Sequence, residues 1–239
     1  MLIDIIDNIM DNYYLITGIF LLFNIIINTI IKIRLNHYSK FYVKSNLSGK
    51  EIAEKMLMDN GINDVNVHLV NGNLTDHYNP LNKTINLSKN VFFKKNAVSI
   101  AIATHECGHA MQHKLGGTLL KLRDNLVPIL NFSSRITHLS IIYGLAIFYS
   151  SEGKYSIILK IGIILFSLIV IFSLITLPIE FDASKRALNW LKKKNLVNYK
   201  EYSQVKSSLN LAAMTYIIAA LGDLTNLAYF ISVFDDNKK

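Results

Sequence analysis

Hydrophobic and polar positions along this chain follow two regimes. Long, nearly unbroken apolar runs occupy Tyr13 to Ile31, about Leu126 to Tyr149, Ile157 to Leu177 and about Leu209 to Phe234. Each is close to the roughly 20 apolar residues that a helix needs to cross a bilayer. The second run carries Arg135 and His138, and the fourth carries Asp223. Between the first two runs the pattern becomes mixed and shorter in period. A helix is predicted from Ser48, where Ser48 and Glu51 form a capping box and Gly61 provides the stop. Three β-like runs follow, Val65 to Val70, Leu74 to Tyr78 and Thr84 to Leu87. Turn residues at Gly72-Asn73 and from Pro80 to Lys83 separate them, so a small antiparallel meander is expected. A further helix is predicted over about Asn96 to Lys114, ended by Gly116-Gly117. Its small, apolar first half, Ala97 to Ala103, suits burial under the meander.

Composition strengthens the bilayer reading. Hydrophobic residues make up 51% of the chain, charged residues 18%, and mean hydropathy is +0.30. The net charge of +8 acts through its placement. Lys32, Arg34, Lys40 and Lys44 follow the first run, and Lys185, Arg186, Lys192, Lys193, Lys194, Lys200 and Lys206 follow the third. The positive-inside rule puts both segments in the cytoplasm, with the acidic N-terminus and the Ser151 to Tyr155 loop outside. Asp4, Asp7 and Asp11 precede the first run with no Lys or Arg, so it reads as an uncleaved anchor. Basic residues interleaved with stacking aromatics are missing, which argues against a nucleic-acid partner. The single cysteine, Cys107, excludes an intrachain disulfide and fits a reducing compartment.

Candidate chemistry is concentrated at His105-Glu106-Cys107-Gly108-His109. Histidines four apart on a helix share one face, one turn apart, and can grip a tetrahedral metal from one side. Glu106 between them can take a proton from metal-bound water. With 7 histidines in 239 residues, such a match arises by chance on the order of 0.005 times. A metal site is therefore expected. Cys107 occupies a variable position of the pattern and points away from the histidines. His113 is too far along the helix to share the ion.

Catalytic zinc commonly takes a third protein ligand, and Glu180 is the best candidate. Pro178 is expected to end or kink the third span, so that Glu180 opens a fresh helix at the membrane surface. Two spans separate His109 from Glu180, which puts both on one side. Asp182 would face the other way and pair with a nearby Lys or Arg. Asp223 is the rival ligand if the His105 helix is itself intramembrane. Arg135 and His138 either face the site or pair between helices.

Three segments, in order, carry a family resemblance: Asp76-His77-Tyr78-Asn79-Pro80 with Thr84 to Ser88; His105 to Gln112; and Leu177-Pro178-Ile179-Glu180-Phe181-Asp182-Ala183-Ser184. Together they resemble the YugP-like neutral zinc metallopeptidases of bacterial membranes and, more distantly, the HtpX-type gluzincins. The resemblance covers most of the chain. It implies zinc as cofactor, His105, His109 and Glu180 as its ligands, and Glu106 as general base. In the HtpX-type pattern an Asp four residues after the ligand Glu supports a zinc histidine; here that position is Ser184, a weaker partner.

The expected protein is thus a mainly α membrane protein, with about four transmembrane helices and a small α+β zincin-like catalytic domain. Its parts are an anchor helix at 1–33, a cytoplasmic domain at 34–125, a transmembrane hairpin at 126–178, a cytoplasmic helix bearing the third ligand at 179–207, and a C-terminal span with its tail at 208–239. The expected function is a zinc-dependent endopeptidase of the cytoplasmic membrane, acting on peptide or membrane-protein substrates from the cytoplasmic side. The substrate would add as a strand along Thr84 to Ser88. His77, Tyr78 and Arg186 are candidates for holding the oxyanion. A non-catalytic metal-binding membrane protein and a small transporter are the competing readings. No oligomeric state follows from the sequence.

Overall fold

The computed structural model describes residues 2–151 and 157–236. In chain order its elements are α1 (Leu2–Tyr38), α2 (Gly49–Asp59), β1 (Asn66–Val70), β2 (His77–Asn79), β3 (Thr84–Ser88), α3 (Lys89–Phe92), α4 (Ala97–Lys114), α5 (Thr118–Ser150), α6 (Ile157–Lys193) and α7 (Tyr199–Asp236). The chain is mostly helical with one small mixed sheet. The Ser151 to Tyr155 loop falls, apart from Ser151, outside the described residues.

Local chemistry accounts for the short elements. At α2 the Ser48 hydroxyl accepts from Glu51 N, and Glu51 Oε2 accepts from Ser48 N at 2.7 Å, completing the capping box. Gly61 then takes φ +64, the left-handed turn that glycine enters without a Cβ clash. Asn96 caps α4 by accepting from Ser99 N at 2.9 Å.

The sheet departs from the expected meander. Its strand order is β1-β3-β2; β1 runs parallel to β3, and β2 runs antiparallel to it. Residues 71–76 do not close a hairpin. Gly72 and Leu74 both take positive φ, and the Asp76 carboxylate accepts from both N and Oγ of Ser88. These ties bring the chain back past β1 to the far side of β3. Strand β3 is therefore central, with Ile85 and Leu87 fully buried. With both its edges paired, Thr84–Ser88 cannot accept an added substrate strand, and the sheet's edges are β1 and β2 instead.

Two compact units divide the described residues, one within 30–122 and 176–215, the other within 1–29, 123–175 and 216–239. The first unit has a dense core. Ile52 and Met56 of α2, Ile85 and Leu87 of β3, Ile100 and Cys107 of α4, and Ala187 and Leu191 of α6 pack together. Burying a large aliphatic side chain contributes about 1.5–3 kcal/mol, so this cluster fixes α4 and the second half of α6. The second unit holds long apolar helical segments with a smaller cluster around Leu159, Phe166 and Phe230.

Among the described residues, three helical segments are long and apolar enough to cross a membrane: Gly18–Tyr38, Ile157–Lys193 and Tyr199–Asp235. Helix α5, which contains the expected second span, is not among them. It carries Lys121, Arg123, Asp124, Arg135 and His138, with Pro128 inside it. Nor does Pro178 break α6, which runs unbroken to Lys193. A proline removes one helix hydrogen bond and crowds the preceding turn. Here Ile179, Ala183, Ala187 and Leu191, spaced by four, bury one face, and that packing carries the helix through.

Candidate metal centre

Two helices of the dense unit assemble the candidate site. Helix α4 presents His105 and His109 one turn apart, and α6 presents Glu180. The helices approach closely because position 108 has no side chain. A Cβ there would lie 2.5 Å from the Ala183 carbonyl oxygen. The glycine in a variable position of the metal motif is thus what admits the second helix.

Nε2 of His105 lies 3.1 Å from Nε2 of His109 and 3.1 Å from Oε2 of Glu180; the His109–Glu180 distance is 3.6 Å. These are the edges of a small triangle. A tetrahedral zinc ion with bonds of about 2.0–2.1 Å has ligand–ligand edges of about 3.3 Å. Among the described residues, this is the one group of three His, Cys, Asp or Glu side chains able to hold a metal ion.

The tautomers agree with that use. Gln112 Nε2 donates to the Ile179 carbonyl and to Asp182 Oδ2, both at 2.8 Å. Its Oε1 is therefore the acceptor facing His109 Nδ1 at 3.0 Å. His109 must donate from Nδ1, which leaves the Nε2 lone pair pointing into the triangle. His105 Nδ1 meets Ser184 Oγ at 3.1 Å, the weaker partner anticipated at that position. Glu180 is 2% exposed, and a carboxylate so buried requires a cation or proton beside it. Burial alone would push the His109 imidazole down; the neighbouring Glu180 carboxylate and the charge of Glu106 outweigh it and raise its pKa. The donor set fits a divalent ion of the zinc type.

Glu106 is also buried, and its Oε2 accepts from the backbone N–H of Tyr78 at 2.8 Å. That N–H points away from β3, so the outer edge of β2 lies against Glu106. Asp76 is close enough to feel the Glu106 charge; burial first, then that charge, raises its pKa against the hydrogen bonds from Ser88. The Tyr78 hydroxyl lies 3.0 Å from Nδ1 of His113, giving that third histidine a role one layer out.

The remaining candidates fall elsewhere. Asp182 pairs with Arg186 at 2.6 Å, as expected of it, but it also holds Gln112. His77 has both ring nitrogens engaged, with the Thr75 carbonyl and the Asn86 amide. Asp223 accepts from Ser173 Oγ, and neither it nor His138 belongs to the metal-capable group. Burial pushes the Cys107 thiol well up; its Sγ donates to the Ala53 carbonyl and it packs in the hydrophobic core. Sequence reasoning missed Gln112, Gly108 and the Tyr78–Glu106 bond. For Gln112 a signal existed, since a residue three after His109 lies on the same helical face.

A largely buried His/His/Glu cluster on two close helices, with a carboxylate beside it, is an arrangement able to hold a metal ion. Residues 13–235 match the family model described as "Putative neutral zinc metallopeptidase". The chain is also 38% identical over 204 residues to "Putative membrane protease YugP" of Bacillus subtilis (strain 168), covering 85% of this chain and 88% of that protein. The chain therefore belongs to this zinc metallopeptidase family. No solved structure matches it.

Proposed function

We propose that the chain is a membrane-embedded, zinc-dependent endopeptidase with His105, His109 and Glu180 as metal ligands and Glu106 as general base. The observation that carries the reading is the triangle of Nε2, Nε2 and Oε2 atoms with edges of 3.1, 3.1 and 3.6 Å. The family's name supplies the metal. Zinc bound there would acidify a water molecule and polarise a carbonyl.

The chain's own groups supply the rest. Glu106, held through Oε2 by Tyr78 N, has Oε1 left to take a proton from the attacking water and pass it to the leaving amine. Gln112 and Ser184 keep the two imidazoles turned towards the ion. A peptide in extended form would lie along the outer edge of β2, beside Glu106, in place of the central strand β3. Apolar α6 and the basic residues that follow its first half favour a site on the cytoplasmic face, within reach of membrane-protein tails.

Glu106→Gln tests the mechanism. The variant should keep about one zinc per chain while peptide cleavage falls by about 10²–10⁴-fold. Retained cleavage would remove Glu106 from its role. Glu180→Ala should lose the metal; loss in Asp223→Ala instead would place the ion elsewhere.

A further inference from the structure

A cavity of about 310 Å³ lies at the C-terminal end of α4, in the same unit as the metal centre. Its walls are chiefly aliphatic, from Leu115, Leu119, Leu120, Pro178 and Ile179. Leu115 and Leu119 are largely exposed. The size matches the lower end of small-ligand pockets. Pro178 and Ile179 sit where the apolar run of α6 ends, so the cavity is level with the point at which that helix would leave the bilayer.

The polar groups at its wall are not neutral in effect. Gln112 and Arg186 both spend donors on Asp182 Oδ2, which satisfies that carboxylate. Arg186 donates through Nε only, so its two terminal nitrogens have no partner among the described residues. A second cation stands close by: the Lys121 ammonium lies 3.6 Å from where a Gly116 Cβ would be. Gly117, the next residue, lines the cavity. Lys121 likewise has no partner among the described residues. An aliphatic chamber with one unspent cation, Arg186, in its wall and a second, Lys121, beside the neighbouring Gly116, at the end of a helix run apolar enough to cross a membrane, matches an acyl chain joined to an anionic head.

We propose that this cavity binds an anionic membrane lipid, with its headgroup on Arg186 and Lys121 and its chain against Leu115, Leu119 and Ile179. The site is distinct from the metal ligands. It rests on the reading of α6 as a bilayer span, and it does not depend on peptidase activity.

The full-length chain, purified in neutral detergent, is examined by native mass spectrometry with dioctanoyl phosphatidylglycerol, dioctanoyl phosphatidylcholine or inorganic phosphate. Phosphatidylglycerol should be retained over phosphatidylcholine, with about fivefold of the preference lost in each of Arg186→Gln and Lys121→Gln. Leu119→Trp, which fills the chamber from an exposed position, should lower retention of both lipids, and phosphate alone should not be retained. Lys121→Gln stays decisive if Arg186→Gln disturbs the Asp182 pair. Equal retention of the two lipids, or a preference that survives both charge variants, would overturn the proposal. So would phosphate held as strongly as phosphatidylglycerol, or N-acetyl-leucyl-leucine bound where neither lipid is. Alkaline carbonate extraction of membranes tests the span separately, so a chain released into the soluble fraction and a chain with no headgroup preference are different failures.

Discussion

The two units of this chain use the same aliphatic residues in opposite ways. In the unit that carries the candidate metal centre, Ile52, Met56, Ile85, Leu87 and Ile100 are fully buried. Their neighbours include polar groups with matched partners: Asp76 with Ser88, Gln112 with Asp182, Trp190 with Asp59. In the other unit, Ile19, Leu21, Leu22 and Ile25 of α1 are mostly exposed, as are Ile142 and Ile164. Only 6% of the most apolar window of α1 is buried. Water drives the first arrangement by expelling apolar surface. The second is the arrangement of helices apolar and long enough to cross a membrane, where the solvent is as apolar as the side chains themselves. The candidate ligands therefore sit in the unit with the denser core, where their positions are determined by packing.

That contrast can be broken most forcefully at matched aliphatic positions. Ile52→Ala should destabilise the protein by about 2–5 kcal/mol, seen as a large fall in melting temperature and a loss of bound zinc. Leu22→Ala should leave both nearly unchanged. Were the two to cost the same, the division between a water-driven core and a lipid-facing helix would collapse. Leu22→Lys should instead impair membrane insertion, by about 3 kcal/mol on translocon scales if the residue sits near the bilayer centre, as read by carbonate extraction.

Matched glycines sharpen the comparison. Gly108→Ala puts a methyl group 2.5 Å from the Ala183 oxygen and should cost about 1–3 kcal/mol. It should also weaken zinc binding, because α6 must retreat and take Glu180 with it. Gly18→Ala has nothing within 4 Å and should be neutral or mildly stabilising. Zinc titration of both variants against a competing chelator separates a local spacing effect from general unfolding.

The smallest expected effect concerns pH. Burial pushes the Asp59 carboxyl up, but hydrogen bonds from Lys194 and Trp190 outweigh it and lower its pKa. A depressed folded pKa means stability that is present above the unfolded value near 3.8 and lost as pH falls through the folded value. The contribution is about 1 kcal/mol for a partly exposed pair. Trp190 is the sole tryptophan, so its fluorescence reports the loss directly. Asp59→Asn should flatten the acid branch of the unfolding profile; an unchanged acid branch would show that other carboxylates govern it.

Features set by a few consecutive residues were legible in the sequence. The capping box at Ser48 and Glu51, the extent of α4 and the shared face of His105 and His109 follow from helical spacing and hydrogen bonds that close within four residues. The sheet was not legible in this way. Runs of β-like residues mark where strands lie, but their order depends on long-range pairing, here set by Asp76 reaching Ser88 across twelve positions. The helix end offered at Pro178 did not occur for the same kind of reason, since local propensity yielded to the buried face of Ile179, Ala183, Ala187 and Leu191. Gln112 was overlooked because its role exists only once Asp182 and the Ile179 carbonyl arrive beside it.

By itself, then, the chain's order of residues determined its long apolar helices, the pair of histidines on one helical face and the family to which it belongs, because apolar length and i, i+4 spacing are local properties. Only the tertiary structure decided that Glu180 closes the triangle, that Gly108 permits the approach, and that β2 is the edge facing Glu106. Those outcomes depend on how distant segments pack, and packing is settled by the whole core at once.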